Sequence, residues 1–423
     1  MSDNPAHPLF SVFGVEIEIM CVAQDSLRVW PHVDKLLTVL GGSPDSHPAF
    51  GLTEADNELA AHVVEFKLSR PAPGFASLWR DFLGLAQKAN QALAKEGAML
   101  FPGGVHPFMN PQTDSRLWPY EDSPIYSAYD RIFGCQGHGW FNLQSVHLNL
   151  PFRGDAEFAS LHSAIALLLP LLPGLSNSSP VLDGEINGWH SSRLRQYAGN
   201  QRKIASIAGH LIPEAVASEQ EYRDTVLAPM YRDIAPVDPE GLLQDEWLNS
   251  RAAIARFDRH AIEIRCLDAQ ETPRADVGLT WAIASMLRFV MQNGGDVLAA
   301  HRASALPELR AFFEASAREG LATAVPAAYP WRVLGLGESD FKSGQPRNAG
   351  ELLAALFHKT LKAGSLAGEE DYRPVLDRIF SQGSLAERLL AKAKSLPGHA
   401  PKGEAWAGIY RELSDCLVND RLV

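Results

Sequence analysis

SVFGVEIEIM, residues 11–20, alternates without a break. Phe13, Val15, Ile17 and Ile19 fall on one face of an extended chain, and Val12, Gly14, Glu16 and Glu18 on the other. Side chains two apart on a strand point the same way, about 6.5–7 Å from each other. Two carboxylates so placed repel unless a cation lies between them. The stretch therefore reads either as an apolar-backed platform for magnesium or as an edge strand with a solvated acidic face.

Three later stretches repeat the design and favour the platform. HVVEFKLS, residues 62–69, sets Val64, Phe66 and Leu68 against Val63, Glu65 and Lys67, and Arg70-Pro71 ends it. NLQSVHLNLP, residues 142–151, sets Val146, Leu148 and Leu150 against His147 and Asn149. In AIEIRCL, residues 261–267, Ile262, Ile264 and Cys266 face one way and Glu263 and Arg265 the other. Glu263 and Arg265 can pair with each other, or serve a metal and a phosphate side by side. Arg251, Arg256 and Arg259 just upstream thicken the positive charge, which suits a polyphosphate. An oxygen-rich donor set with one imidazole suits Mg²⁺ or Mn²⁺ better than zinc. Mg²⁺ shares its sphere with substrate phosphates, so the chemistry suggested is phosphoryl transfer from a nucleotide. GxxxxGK[ST], GxGxxG after a strand, HExxH and GxSxG are all absent.

Around these strands the pattern predicts helices over 33–40, 76–97, 123–133, 156–172 and 276–299. Further helices are expected over 306–319, 349–363, 373–380, 384–395 and 403–418. Residues 43–60 read as polar turns, and 213–240, acidic and punctuated by proline, as peripheral. Residues 102–140 read as a long binding loop dense in Pro, Gly and aromatics. His106, Arg116 and Arg131 are candidate substrate contacts within it. With no evident linker or repeat, residues 1–423 are treated as one domain, a motif-bearing core over 11–300 and a helical part over 301–423.

The formal net charge of −12 comes from 38 basic and 50 acidic residues, without a basic stripe, so no nucleic-acid partner is expected. The apolar run Ala164–Leu175 is broken by Pro170 and Pro173 and reads as too short for a bilayer. Its four cysteines, Cys21, Cys135, Cys266 and Cys416, lack CxxC spacing. With no signal peptide at the N-terminus, a cytoplasmic protein is expected. The oligomeric state is left open, a homodimer among the options.

In order along the chain, FGVEIEI, VVEF with SRP, QSVHLNL, LPGLSNSSPVLDG with SSRLRQY, and IEIRCLDAQETP resemble the motifs of the glutamate–cysteine ligases and carboxylate–amine ligases. The likeness is to the bacterial second glutamate–cysteine ligase type. It implies an α+β, glutamine-synthetase-like catalytic fold, a curved and mostly antiparallel sheet flanked by helices. It implies two or three Mg²⁺ and ATP as co-substrate on the concave face, with amino acids as the other substrates. ATP would phosphorylate the γ-carboxylate of glutamate, and the amine of cysteine would attack the acyl phosphate. Carried over, Glu16, Glu18, Glu58, Glu65, His147 and Glu263 would hold metal. Arg265 would hold the transferring phosphate, with Arg256 near the nucleotide and Glu16 central to catalysis. Arg193 and Asn149 would bind substrate. The competing expectations are another amine acceptor and, in a different class, a non-catalytic nucleotide-binding protein.

Overall fold

A computed structural model describes residues 6–395 and 404–423. Its strands are β1 Gly14–Ala23, β2 Ala49–Phe50, β3 Thr53–Asn57, β4 Val63–Leu68, β5 Ala98–Phe101, β6 Ser145–Pro151, β7 Val181–Leu182, β8 Glu185–Ile186, β9 Ala253–Arg256 and β10 Ala261–Asp268. Eight of them form one sheet in the order β2-β3-β4-β1-β6-β10-β9, with β5 also on β1. Every pairing in it is antiparallel. β7 and β8 make a separate hairpin.

β1 lies at the centre because both its edges are used. Gly14–Ile17 pair with β6, Met20–Ala23 pair with β5, and β4 runs along the opposite edge. The alternation seen in the sequence sets the two faces. Val15, Ile17 and Ile19 are buried together with Val64, Phe66, Val146, Leu148, Ile262 and Ile264. Burying one such side chain contributes about 1.5–3 kcal/mol. Repulsion between two carboxylates ~7 Å apart, at an effective dielectric of ~20, costs only about 2 kcal/mol. The three apolar residues of β1 therefore outweigh the charge crowding on its other face.

The helix Pro273–Asn293 supports the apolar side, touching β1 and β6. It starts at Thr272, whose side chain accepts from the Ala275 N–H, and is followed by Pro273 in its first turn. It stops at Asn293, and a second helix covers Val297–Ala303, so the expected 276–299 helix is two. The run Gly154–Ser176 is helical throughout despite Pro170 and Pro173, because each proline falls in the first turn of a new short segment. It is long and apolar enough to cross a bilayer, yet its most apolar window is 94% buried inside the protein, as befits a core helix.

Two further expectations are corrected. Residues 43–60 carry β2 and β3, which extend the sheet and set Asp56 opposite Glu65. The 213–240 segment is not peripheral: Tyr222, Val226, Leu227, Met230 and Ile234 are buried, and Glu214 makes a two-pronged ion pair with buried Arg251. Its polar composition concealed an apolar stripe at helical spacing. The helix predicted over 373–380 spans Glu369–Gln382, with Pro374 inside it.

Candidate active site

The register of the sheet assembles the polar side chains. Glu16 lies opposite His147, Glu18 opposite Glu65, and Glu263 opposite Asn149. His147 is the hub. Its Nδ1 is 3.0 Å from Glu16 Oε2 and 3.6 Å from Glu263 Oε1, and its Nε2 is 3.6 Å from Glu18 Oε1. Ser145 Oγ lies 2.9 Å from His147 Nε2, and the Ser145 N–H donates to Glu18 Oε2 at 2.7 Å. Asn149 donates to Glu16 Oε1 at 3.0 Å. Glu263 accepts from Arg265 Nη2 at 2.6 Å, while Arg256 Nη1 stands 3.8 Å from its other oxygen.

Electrostatics divide the carboxylates into two groups. Burial pushes Glu16 up, but the hydrogen bond and charge of His147, with Arg259 and Lys67, prevail and hold it at about 2. Burial likewise opposes ionisation of Glu263, and Arg265 with His147 brings it below the ordinary carboxylate range. Burial acts against the charged form of His147, but Glu16, Glu263 and Glu18 outweigh it and raise its pKa. Glu58 and Glu65 go the other way. Burial first, then neighbouring carboxylates (Glu18 and Glu65 for the one, Glu16 and Glu18 for the other), push both well above the usual value. Lys67, 3.4 Å from Glu65, offsets this only in part and is shared with Asp56.

Buried, mutually repelling carboxylates around one imidazole form a donor set that fits a hard divalent cation. One ligand atom each from Glu16, His147 and Glu263 lies within 4.8 Å of the others. Glu18, Glu58 and Glu65 continue the same acidic face toward β4.

Two cavities flank this cluster along the strands. One, of about 250 Å³, is lined by Glu18, Glu58, His147, Arg193 and Arg265 and walled by aromatic rings, among them Tyr129, Trp140 and Trp247. The other, of about 430 Å³, lies at the Glu16 end, with Gly14, Asn149, Arg70 and Arg259 in its lining. Gly14 is required there: a Cβ would stand 2.8 Å from the Asn149 Cβ.

Residues 12–415 match the glutamate–cysteine ligase family 2. The chain belongs to this family. A protein of Archaeoglobus fulgidus, itself uncharacterized, is 35% identical over 62% of this chain and 70% of its own length. A Cronobacter sakazakii protein with the provisional name glutamate–cysteine ligase 2 is 24% identical over 46% of this chain and 48% of its own. This chain thus spans about half the length of such named relatives. The crystal structure of glutamate–cysteine ligase from Francisella tularensis in complex with AMP superposes with a TM-score of 0.57, covering 99% of this chain and 90% of that one, at 14% identity. A bifunctional glutathione synthetase from Pasteurella multocida also superposes at 0.57, at 14% identity, over 97% of this chain and 52% of its own. At such identity the likeness speaks for the fold, an α+β antiparallel sheet with flanking helices.

The structure separates the candidate residues. Arg193 and Asn149 line different cavities. Arg256 grips Asp258 through Nε and Nη2 and lines neither cavity, whereas Arg259 does line one. His106 is buried against the Leu27 carbonyl. Arg116 and Arg131 bind the carbonyls of Pro31 and Val237, away from both cavities. Sequence periodicity does not single out the rings of the aromatic wall. The aromatic density of 102–140 was its signal, since Tyr126, Tyr129 and Trp140 come from that segment.

Proposed function

We propose that this chain is an ATP-dependent carboxylate–amine ligase that joins the γ-carboxylate of glutamate to the amine of cysteine. The observation that carries this reading is the Glu16–His147–Glu263 cluster with a cavity on each side of it. A nucleotide entering past Arg70 and Arg259 brings its terminal phosphate to the cluster. A carboxylate held at Arg193 reaches the same point from the aromatic-walled side.

Amide formation from a free carboxylate needs its oxygen turned into a leaving group. The carboxylate oxygen bonds to the γ-phosphorus as the bond to the bridging oxygen breaks, releasing ADP. The amine nitrogen then bonds to the acyl carbon, phosphate departs, and the ammonium proton is lost to solvent. Glu16, Glu18, Glu58, Glu65, His147 and Glu263 would hold two or three Mg²⁺, which would supply neutralisation of phosphate charge. Arg265, held in the sheet by Glu263 and by the Asn249 carbonyl, presents a fixed cation to the phosphoryl group in flight. The aromatic wall excludes water, which would otherwise compete with the amine for the acyl phosphate.

The test is ADP release with ATP, Mg²⁺, glutamate and a panel of amines, with products weighed by mass spectrometry. Turnover that requires glutamate supports the reading, and the product mass identifies the acceptor. ATP binding without glutamate-dependent ADP release refutes it in favour of a non-catalytic nucleotide-binding protein.

A further inference from the structure

Asp268 takes no part in the metal cluster, yet it is fully buried and saturated with donors. Its Oδ1 accepts from Arg193 Nε at 2.8 Å and from Ser191 Oγ at 2.9 Å. Its Oδ2 accepts from Ser179 Oγ at 2.7 Å and from the Ser178 N–H at 3.1 Å. Two separate stretches of chain, around 178 and around 192, thus converge on this one carboxylate.

How Asp268 reaches this face is a matter of register. Strict alternation along β10 would put Leu267 on the polar face and Asp268 in the core. The pairing of β10 with β6 slips between Ile264 and Leu267, so Leu267 meets Val146 and Asp268 meets Ser145. A bulge of this kind re-aims the side chains beyond it. Room for the carboxylate comes from Gly104 in the Pro102-Gly103-Gly104 turn, where a Cβ would lie 2.7 Å from Asp268 Cγ. The Gly104 N–H also donates to Ser178 Oγ at 2.8 Å.

We propose that Asp268 is a positioning residue: it holds Arg193 by Nε so that the far end of the guanidinium is presented to the carboxylate of the amino-acid substrate. Arg193 is 2% exposed and lines the aromatic-walled cavity. Its Nη2 is steadied by the Arg265 carbonyl at 3.4 Å, and Nη1 makes no hydrogen bond among the described residues. A planar fork anchored at Nε keeps one orientation, and preset geometry spares the substrate the cost of ordering it. The same contacts tie Arg193 to the carbonyl of Arg265, so the groups for carboxylate and phosphate share one frame.

The inference rests on the ligase reading above. The experiment measures initial rates with glutamate, cysteine, ATP and Mg²⁺ for the parent, Asp268→Asn, Gly104→Ala, Arg193→Lys and the Asp268→Asn/Arg193→Lys pair. Asp268→Asn is expected to raise KM for glutamate about tenfold or more while KM for ATP stays within about twofold. Gly104→Ala, which displaces the carboxylate without altering charge, gives the same selective rise. In the double variant the Asp268 change adds no more than about threefold to Arg193→Lys, because both act through one guanidinium. Should Asp268→Asn not fold, Gly104→Ala decides. An unchanged KM for glutamate, or equal rises for glutamate and ATP, would overturn the inference and leave a purely structural ion pair. Absence of glutamate-dependent ADP release from the parent would instead overturn the ligase reading, and this inference with it.

Discussion

Glu58→Gln isolates the charge crowding of the candidate metal site. Glu58 accepts one hydrogen bond, from the Leu59 N–H at 3.2 Å, which a glutamine oxygen can also accept. Burial, then Glu18 and Glu65, push its pKa well above the ordinary carboxylate value of 4.5. In the unfolded chain Glu58 loses its proton near that value; in the folded chain it keeps the proton to higher pH. Between the two, the folded state binds the extra proton, so stability falls as pH rises, by up to about 1.4 kcal/mol per pH unit. For 423 residues the unfolding entropy is about 0.9 kcal/mol/K, from ~2.1 cal/mol/K per residue. One such group therefore costs the parent about 1.5 °C of Tm per pH unit in this window. Calorimetry in chelator, from about pH 5 upward, should show Glu58→Gln gaining on the parent by that slope until the folded pKa is reached. Taking the difference cancels contributions common to both proteins. Saturating MgCl₂ at ~100 times its Kd should raise the parent by about 2.7 kcal/mol, or ~3 °C, and raise the variant less. A Tm difference that stays flat with pH, together with an equal Mg²⁺ gain in both proteins, would refute the assignment of Glu58 to a crowded cation site.

Three further outcomes are expected. Burial holds the pKa of His162 down at about 3, with no hydrogen bond to either ring nitrogen, so its contribution to stability is lost as pH falls below its unfolded value; His162→Leu should gain about 1.5 °C on the parent per pH unit below about pH 6.5 by calorimetry. Arg251→Ala leaves part-buried Glu214 and the buried Ile207 carbonyl without their donor, and should cost about 1–3 kcal/mol and speed amide hydrogen exchange over residues 222–234. Arg259→Ala should raise KM for ATP about tenfold without moving KM for glutamate, whereas Arg256→Ala, at a residue that lines neither cavity but stands beside Glu263, should move KM for ATP less than Arg259→Ala does.

Much of the site's outline was legible because strand periodicity is a local property. Once Val15, Ile17 and Ile19 are assigned to the core, Glu16 and Glu18 have to face the other way, and the same holds for Glu65, His147 and Glu263. The aromatic wall was legible only as composition, since no spacing rule links Tyr129 to Trp247 across more than a hundred residues. β2 and β3 are not legible in the sequence because a strand of two and one of five residues carry too few positions for a period to show. The burial of Tyr222 to Ile234 is masked in the sequence because the charged residues between them dominate the composition.

From the sequence alone came the four alternating strands, which residues each turns toward its polar face, and the family to which their order points. Periodicity could not say how far along each strand its neighbour lies, and that offset is what brings Glu16 to His147 and parts Asn149 from Arg193. Nor could it foresee the slip after Ile264 that turns Asp268 out of the core and onto Arg193. Register and bulge are set by interstrand hydrogen bonds and packing between segments distant in the chain, so only the tertiary structure decides them.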